Sequence, residues 1–336
     1  DFHRFEDTIK LTDDPDYNQT AFEGMLEIKG DSDHTKLIEM LDALNDDAQK
    51  IDDVLDTYFD TENLVYWMAF QILTGNCDTQ NRNCYLYSPL NSKVWYILDW
   101  DNDGMLRKLE LSLTGFSDYA SWERGVSNYW GNVLFNRALR SKSFRSELDS
   151  AVKDLRSYLT EERLSKMVEH YREVTEPLVF AAPDLENLPV TKDEYEQIAA
   201  AIPSEIEENY KSYRESYKKP MPFYIGVPQI DNGKLRVNWD AAYDFDARDI
   251  RYTVELARDY AISDVVFKAE DVLLPEVTCD APDTGQYFVR VRATNSDGYT
   301  QDAFDYYVTD DGKQYGMKCF YVQDGGKVVE DTYEEG

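Results

Sequence analysis

The chain has 336 residues, of which 35 are Lys or Arg and 66 are Asp or Glu, so its formal net charge is −31. This length accommodates two domains with proper cores, and a hydrophobic content of 42% is too high for a disordered chain. The negative charge argues against nucleic acid or an anionic membrane as partner; it suits a basic protein substrate or divalent cations, and it also serves solubility.

The first part of the chain combines irregular segments with one short helix. Residues 5–30 are predicted to be irregular or short-strand material, with Thr8–Leu11 as the best strand candidate. A helix is predicted after Ser32 or Asp33, whose oxygens can cap its first amides. Its apolar face would comprise Leu37, Ile38, Leu41 and Leu44. Because the chain opens at Asp1 in mid-pattern, we expect it to be cut from a longer protein.

A second helix is predicted to be buried on nearly all sides. It begins near Asp60 or Thr61 and continues to Leu73 with apolar residues around most of its circumference. Gly75 is the residue expected where the chain leaves a helix with left-handed geometry. The following loop, which carries Asp78, would therefore start from a fixed base.

A β-hairpin is predicted directly after this loop. Its strands are Cys84–Tyr87 and Val94–Leu98, and residues 88–93 between them are rich in turn formers. The hairpin would place Asn83 before its first strand and Asp101 just beyond its second strand.

Residues 120–217 are predicted to be helical, because apolar residues recur there at helical spacing. Two helix starts carry capping-box signatures, Thr191 with Glu194 and Ser204 with Glu207.

After Lys219 the helical period gives way to short alternating runs separated by turns, which indicates a β-sandwich. Trp239 and the run that begins at Tyr287 resemble a fibronectin type III domain over residues 223–309. Residues 310–336 are predicted to form one more hairpin and an acidic tail. The predicted class is α+β, with domains at 1–219 and 220–309 and a C-terminal hairpin and tail at 310–336.

Asp78, Asn83 and Asp101 follow the order of the catalytic and metal-binding loops of protein kinases. In that arrangement an Asp takes the proton of the acceptor hydroxyl, and an Asn five residues later holds one magnesium ion. An Asp after the next hairpin holds the other metal ion. Asp78 is therefore the candidate catalytic residue, with Asn83 and Asp101 as metal ligands and Asp103 or Asp99 in support. A lone Asp-x4-Asn pair is weak, and the alternative for Asp78 is an ordinary loop-capping residue.

The acidic loop also matches a calcium-binding pattern. Asp99, Asp101 and Asp103 followed by Gly104 and Glu110 fit the EF-hand loop. The context differs, because an EF-hand loop is entered from a helix and residues 94–98 are predicted to form a strand. Structural Ca²⁺ at this loop is kept as an alternative.

The four cysteines and three histidines do not form a zinc motif. Cys77 and Cys84 bracket the Asp78 loop, so they form either a disulfide or, as the sequence favours, two packed free thiols.

The site residues and their neighbours resemble the spore-coat CotH-type protein kinase family over residues 1–217. The resemblance is carried by Gly75-Asn76-x-Asp78, by Asn83-x-Tyr85-Leu86-Tyr87, and by residues 93–103, which contain Trp100-Asp101-x-Asp103. It implies a mostly helical, protein-kinase-like C-terminal lobe with Asp78 as the catalytic aspartate and Asp101 as the metal aspartate. It also implies ATP and Mg²⁺ or Mn²⁺ as cofactors.

By this resemblance the chain is the C-terminal catalytic half of an atypical extracellular kinase that phosphorylates protein Ser or Thr hydroxyls at a cell surface or spore coat. The acidic charge favours a basic, Ser-rich substrate, and the fibronectin-like domain would bind surface proteins. No G-x-G-x-x-G phosphate loop is present, no nucleotide-binding residue is identified, and the N-terminal lobe is expected to precede Asp1. The alternative function is a non-catalytic, calcium-stabilised surface scaffold; a glycosidase is disfavoured because no motif supports it. No run of eighteen apolar residues predicts a membrane span.

Overall fold

The computed structural model describes residues 2–27, 33–114, 120–310 and 312–331. Internal contacts divide the chain into two compact units. The first unit contains Asp1–Glu110 and Tyr129–Asn209, and the second contains Leu111–Asn128 and Tyr210–Gly336. The predicted domain boundaries after residues 219 and 309 stay predictions. Helices combine with antiparallel sheets, so the α+β class is confirmed.

Helices dominate the described part of the first unit. In chain order the α-helices are α1 (Gln19–Met25), α2 (Thr35–Asn45), α3 (Ile51–Tyr58), α4 (Thr61–Thr74), α5 (Lys108–Leu113), α6 (Val133–Arg140), α7 (Lys142–Tyr158), α8 (Glu161–Val179) and α9 (Lys192–Ser216). Short 3₁₀ helices cover Asn102–Gly104, Gly125–Tyr129 and Asp184–Asn187. Most of Gly125–Tyr129 and the last residues of α5 and α9 belong to the second unit. The strands β1 (Cys84–Tyr87) and β2 (Tyr96–Asp99) form an antiparallel hairpin, as predicted.

The N-terminal predictions are partly confirmed. The four apolar residues predicted to share one face of α2 are all buried. The Asp33 carboxylate accepts a hydrogen bond from the Thr35 amide at 2.9 Å, and Ser32 lies outside the described residues. The strand predicted at Thr8–Leu11 is wrong, because the Ile9 amide donates to the Phe5 carbonyl in a local turn. Helices α1 and α3 were not predicted; only seven and eight residues long, they carry a weak periodic signal.

One of the two capping boxes lies at a helix start. The Thr191 amide donates to the Glu194 carboxylate, and the Glu194 amide donates to the Thr191 hydroxyl, which is the reciprocal arrangement predicted. The predicted helix start at Ser204 is wrong, because α9 continues through this position with Pro203 inside it. The Ser204 hydroxyl donates to the Ala201 carbonyl within the helix, and Glu207 pairs with Arg156.

Strands dominate the second unit. They are β3 (Gln229–Asp231), β4 (Lys234–Asn238), β5 (Ile250–Ala257), β6 (Val265–Val272), β7 (Glu276–Asp280), β8 (Gly285–Asn295), β9 (Thr300–Asp302), β10 (Tyr306–Thr309), β11 (Gly312–Tyr315), β12 (Met317–Val322) and β13 (Val328–Glu330). One sheet has the order β13-β12-β8-β5-β6, with β9 also paired to β8, and another has the order β3-β4-β7. β10 and β11 pair separately.

The two larger sheets share one apolar core. Leu235 and Val237 of β4 pack in the same cluster as Val254 of β5 and Val289 of β8, and Trp239 lies within it. The alternation of buried and exposed residues along β4 explains how each strand contributes one face to this core. The assignment of this unit to the fibronectin type III family stays a prediction. The predicted acidic tail beyond residue 331 lies outside the described residues.

Two further features bear on the predictions. Cys77 and Cys84 are not joined by a disulfide, which is the alternative favoured by the sequence. Within the described ranges, every helix is too short or too polar to cross a lipid bilayer.

Candidate active site

Helix α4 forms the frame of the candidate site. Asp60, the residue before its first turn, caps the helix by accepting a hydrogen bond from the Asn63 amide at 2.9 Å, and most side chains of α4 are buried. Gly75 ends the helix in the left-handed conformation, with φ of 69° and ψ of 22°, as predicted. The helix contacts the hairpin near its start, where Asn63 exchanges two hydrogen bonds with the backbone of Ile97. It therefore holds the hairpin near its start and the Asp78 loop at its end.

The loop after α4 is fixed by buried polar contacts. Asn76 is almost fully buried, and its amide donates to the Gln71 carbonyl at 3.0 Å. The Thr79 hydroxyl lies within hydrogen-bond distance of both the Asn76 carbonyl and the Tyr129 hydroxyl. The Asn132 side chain donates to the Gln80 carbonyl at 2.6 Å. These hydrogen bonds fix the conformation of the loop where it leaves the end of α4.

Asp78 and Asn83 are brought together by this path. Oδ2 of Asp78 accepts a hydrogen bond from Nδ2 of Asn83 at 2.9 Å. Asn83 has a φ of 58°, a left-handed conformation that Asn tolerates better than most residues. The Asp78 side chain is 43% exposed, which leaves its carboxylate accessible to a substrate from solvent.

Arg82 is a site residue that the sequence reasoning missed. Its Nε and Nη2 atoms both lie 2.7 Å from Oδ1 of Asp78, so the guanidinium binds the carboxylate with two nitrogens. The available signal was charge, because Arg82 is the one basic residue between Gly75 and Ser92. A cation four residues after the candidate catalytic aspartate can reach a negatively charged substrate at the same place.

The acidic loop begins where β2 ends. Asp99 pairs with Cys84 in the hairpin register, and its Oδ1 accepts a hydrogen bond from Nε2 of Gln71 at 2.7 Å. Burial raises the pKa of the Asp99 carboxyl above its ordinary value, and the Gln71 hydrogen bond acts in the opposite direction. Asp101 then adopts a left-handed conformation with φ of 54° and ψ of 58° and precedes the 3₁₀ helix at Asn102–Gly104.

The acidic loop contacts the Asp78 loop through Asn76 and Gly104. Nδ2 of Asn76 donates to Oδ1 of Asn102 at 3.4 Å, while its Oδ1 accepts from the Asp78 amide at 3.3 Å. A methyl group placed on Gly104 would lie 2.7 Å from Oδ1 of Asn76 and 3.7 Å from Cβ of Asp78. The backbone of the acidic loop therefore packs directly against the segment that carries Asp78.

Asp101 and Asp103 are the two carboxylates of the acidic loop whose oxygens remain available for a ligand. Both are exposed, and neither makes a hydrogen bond or ion pair within the described ranges. Mg²⁺ prefers oxygen ligands, keeps several waters and takes one or two protein carboxylates together with substrate phosphates. The Asp101 carboxylate and the Asn83 amide oxygen have the chemistry required for that ion.

The structure does not assemble the EF-hand ligand set at this loop. Glu110 forms two hydrogen bonds of 2.8 Å with Arg107, and Asp99 is held by Gln71. Among the described residues, no three His, Cys, Asp or Glu side chains gather as they would around one ion. The loop is also entered from β2 rather than from a helix. Structural Ca²⁺ at this loop stays a prediction, and two of its four expected ligands, Asp99 and Glu110, are hydrogen-bonded to Gln71 and Arg107 instead.

An exposed aromatic surface adjoins the carboxylates. Tyr85 lies opposite Leu98 in the hairpin, and the ring of Trp100 contacts Tyr85 edge to face at 5.0 Å. Tyr85, Tyr87, Leu98 and Trp100 are each 42–55% exposed. Because Trp100 lies between Asp99 and Asp101 in sequence, this surface continues into the acidic loop.

A family model agrees with the sequence resemblance to CotH-type kinases. Residues 1–213 match a family model described as CotH kinase protein. No curated relative matches the chain. Among solved structures, the twitchin kinase region from C. elegans is similar at 18% identity and a TM-score of 0.22, over 28% of this chain and 20% of that chain. The chain thus spans about a fifth of that structure, and so low a score carries no argument about the fold.

Proposed function

The chain belongs to the CotH kinase protein family, and on that premise we propose that residues 1–217 form the C-terminal catalytic half of a kinase that transfers the γ-phosphate of ATP to protein Ser or Thr hydroxyls. Kinase chemistry in general uses ATP with a divalent metal ion, and Mg²⁺ or Mn²⁺ is the proposed ion here. The observation that carries the proposal is the contact between two loops: Asp78 is hydrogen-bonded to Asn83, and the acidic loop packs at Gly104 against Asn76 and Asp78.

Asp78 is the proposed catalytic residue. Its half-exposed carboxylate can accept a hydrogen bond from an acceptor hydroxyl and take its proton during transfer. Both of its oxygens are already held, one by Arg82 and the other by Asn83, so the carboxylate is oriented before substrate arrives. Such preorganisation lowers the entropic cost of bringing the hydroxyl into line with the phosphate.

Asn83 and Asp101 are the residues proposed to hold the metal ions, with Asp103 in support. A divalent ion bound there neutralises charge that develops on the transferred phosphoryl group. The chain's own residues contribute oxygen ligands, and the two aspartates differ in their partners: Asp99 accepts a hydrogen bond from Gln71, whereas the Asp101 carboxylate has none in the part of the chain that the structure describes.

The exposed aromatic surface of the hairpin supports nucleotide binding beside these carboxylates. Aromatic side chains offer a face on which a purine ring can stack. The lysine and glycine-rich loop that grip the phosphates in protein kinases are not identified in this sequence, so the proposal concerns the acceptor and metal side of the reaction.

The substrate class and location are proposed from charge and domain order. A chain with a net charge of −31 attracts basic segments, which favours a Ser-rich, basic protein as acceptor. Residues 220–309 are proposed to be a fibronectin type III-like module that binds surface proteins, and the protein is proposed to act outside the cell, on a cell surface or spore coat.

The test measures transfer of radiolabelled γ-phosphate from ATP to a synthetic Ser/Lys-rich peptide by the full-length protein. Asp78→Asn should lower the rate by about 10²–10⁴-fold, because general-base catalysis contributes that much. Asp56→Asn, at an exposed carboxylate of α3, is the matched control and should leave the rate unchanged. Transfer by the Asp78→Asn protein at the wild-type rate would remove Asp78 from the mechanism.

A further inference from the structure

Three amide side chains lie beneath the candidate site and connect its two loops. We call them the amide bridge: Gln71 on α4, Asn76 in the Asp78 loop and Asn102 in the acidic loop. We propose that Gln71 and Asn76 are positioning residues that hold the acidic loop against the Asp78 loop, so that Asp101 and Asn83 can bind a divalent cation together. This inference rests on the proposed function, because it concerns the same site.

Gln71 connects the acidic loop to the most buried helix of the first unit. It is fully buried near the end of α4. Its Nε2 donates to Oδ1 of Asp99 at 2.7 Å and to Oδ1 of Asn102 at 3.1 Å, which uses both hydrogens of the amide nitrogen. Its Oε1 is buried without a hydrogen-bond partner within the described ranges. A donor is required at this position, because the two atoms that it contacts are both acceptors.

Asn76 completes the connection to the catalytic side. Its Nδ2 reaches the same Asn102 oxygen at 3.4 Å, and its Oδ1 accepts the Asp78 amide at 3.3 Å. One buried side chain therefore contacts both loops at once. The absence of a side chain at Gly104 lets the acidic loop approach Asn76 closely.

The bridge matters because the Asp101 carboxylate is not itself held by a hydrogen bond or ion pair among the described residues. The backbone of Asp101 is left-handed. The position of Asp101 is therefore set by its neighbours Asp99 and Asn102, both of which are held by Gln71. Misplacement of a reacting group by about 1 Å can lower a rate by about 10²-fold.

A purely structural role for the buried amides makes a different prediction. In that case loss of Gln71 would lower the stability of the whole first unit, and every segment would respond alike. Under the proposal, the response is concentrated in residues 99–105 and in metal binding. Gln71→Met removes the donor and keeps the length of the side chain. Ile72→Val, at a buried neighbour in the same turn of α4, serves as the control for general destabilisation.

The experiment measures hydrogen–deuterium exchange of residues 99–105 and Mn²⁺ binding by water-proton relaxation in the 336-residue chain. The Asp101→Asn variant defines background Mn²⁺ binding to this acidic protein. Gln71→Met should accelerate exchange in residues 99–105 by about tenfold and weaken Mn²⁺ binding by a similar factor, as expected for the loss of the two hydrogen bonds that Gln71 donates. Ile72→Val should leave both quantities within about twofold of wild type, the spread expected at a site without shared partners.

Equal acceleration in both variants, or wild-type exchange of residues 99–105 in Gln71→Met, would overturn the proposal. Should Gln71→Met fail to fold, Asn102→Ala at a half-buried loop position removes the shared acceptor and must reproduce the same two changes. Exchange and Mn²⁺ binding need no phosphoryl transfer, so these results decide the role of the bridge even if Asp78→Asn remains fully active.

Discussion

Adding one methyl group at Gly104 should disturb the contact between the two loops of the candidate site. The backbone of Gly104 is not in the left-handed region, so alanine can adopt its conformation without strain. The cost of Gly104→Ala would be purely steric. Its Cβ would lie 2.7 Å from Oδ1 of Asn76, well inside contact distance, and Asn76 is buried on all sides.

The expected cost is that of an overpacked site. Extra methylenes in well-packed regions destabilise by about 1–3 kcal/mol. For a unit of this size, about 1 kcal/mol lowers the melting temperature by about 2–4 °C. Asn76 also accepts a hydrogen bond from the Asp78 amide, so displacement of the Asn76 side chain should reduce phosphoryl transfer as well as stability.

The assay is thermal unfolding of wild type, Gly104→Ala and Gly24→Ala. Gly24 lies in α1, where a methyl group would meet no atom within 4 Å, so Gly24→Ala should be neutral or stabilising by up to about 1 kcal/mol. If the contact with Asn76 causes the loss of stability, Gly104→Ala should lower the melting temperature less in an Asn76→Ser background, because the serine side chain is shorter. A Gly104→Ala protein as stable and as active as wild type would refute this reasoning.

Three further predictions concern individual side chains. Arg82→Ala should change thermal stability by less than about 1 kcal/mol, because both partners of the Arg82–Asp78 ion pair are well exposed, but should slow phosphoryl transfer in the peptide assay. Burial raises the pKa of the Glu205 carboxyl, so the free energy of unfolding of wild type should fall as pH rises from the unfolded pKa of about 4.5 through the raised folded pKa. Urea unfolding of Glu205→Gln should lack this decrease with pH. Burial raises the pKa of the Cys319 thiol to about 12, so iodoacetamide at pH 8 should label it about a thousandfold more slowly than a free thiol, as measured by mass spectrometry.

Local signals in the sequence predicted the frame of the site correctly. The buried character of residues 64–73, the Asp60 cap and Gly75 are properties of consecutive residues, and they defined α4 to within one residue. The hairpin was predicted for the same reason, because turn formers separate two short β-rich runs. Ser204 is a position where such a local signal fails, because α9 continues through it. The Ser204 hydroxyl donates a hydrogen bond to a carbonyl of the same helix instead of capping a new one.

The sequence also indicated the family and the order of the candidate catalytic and metal-binding residues along the chain. The motifs at residues 75–78, 83–87 and 93–103 carried the resemblance, and the family model over residues 1–213 confirms it. The catalytic and metal-binding roles of Asp78, Asn83 and Asp101 stay predictions. The structure adds that Asp78 and Asn83 are in direct contact.

Only the tertiary structure shows which side chains hold the loops of those residues in place by hydrogen bonds. Gln71 and Asn102 are 31 positions apart, and nothing in either local sequence indicates that they are hydrogen-bonded. A helix start or a tight turn depends on neighbours in the chain, so composition and spacing encode it. A hydrogen bond between distant segments depends on how the chain packs α4 against the hairpin, and that packing exists only after the chain has folded.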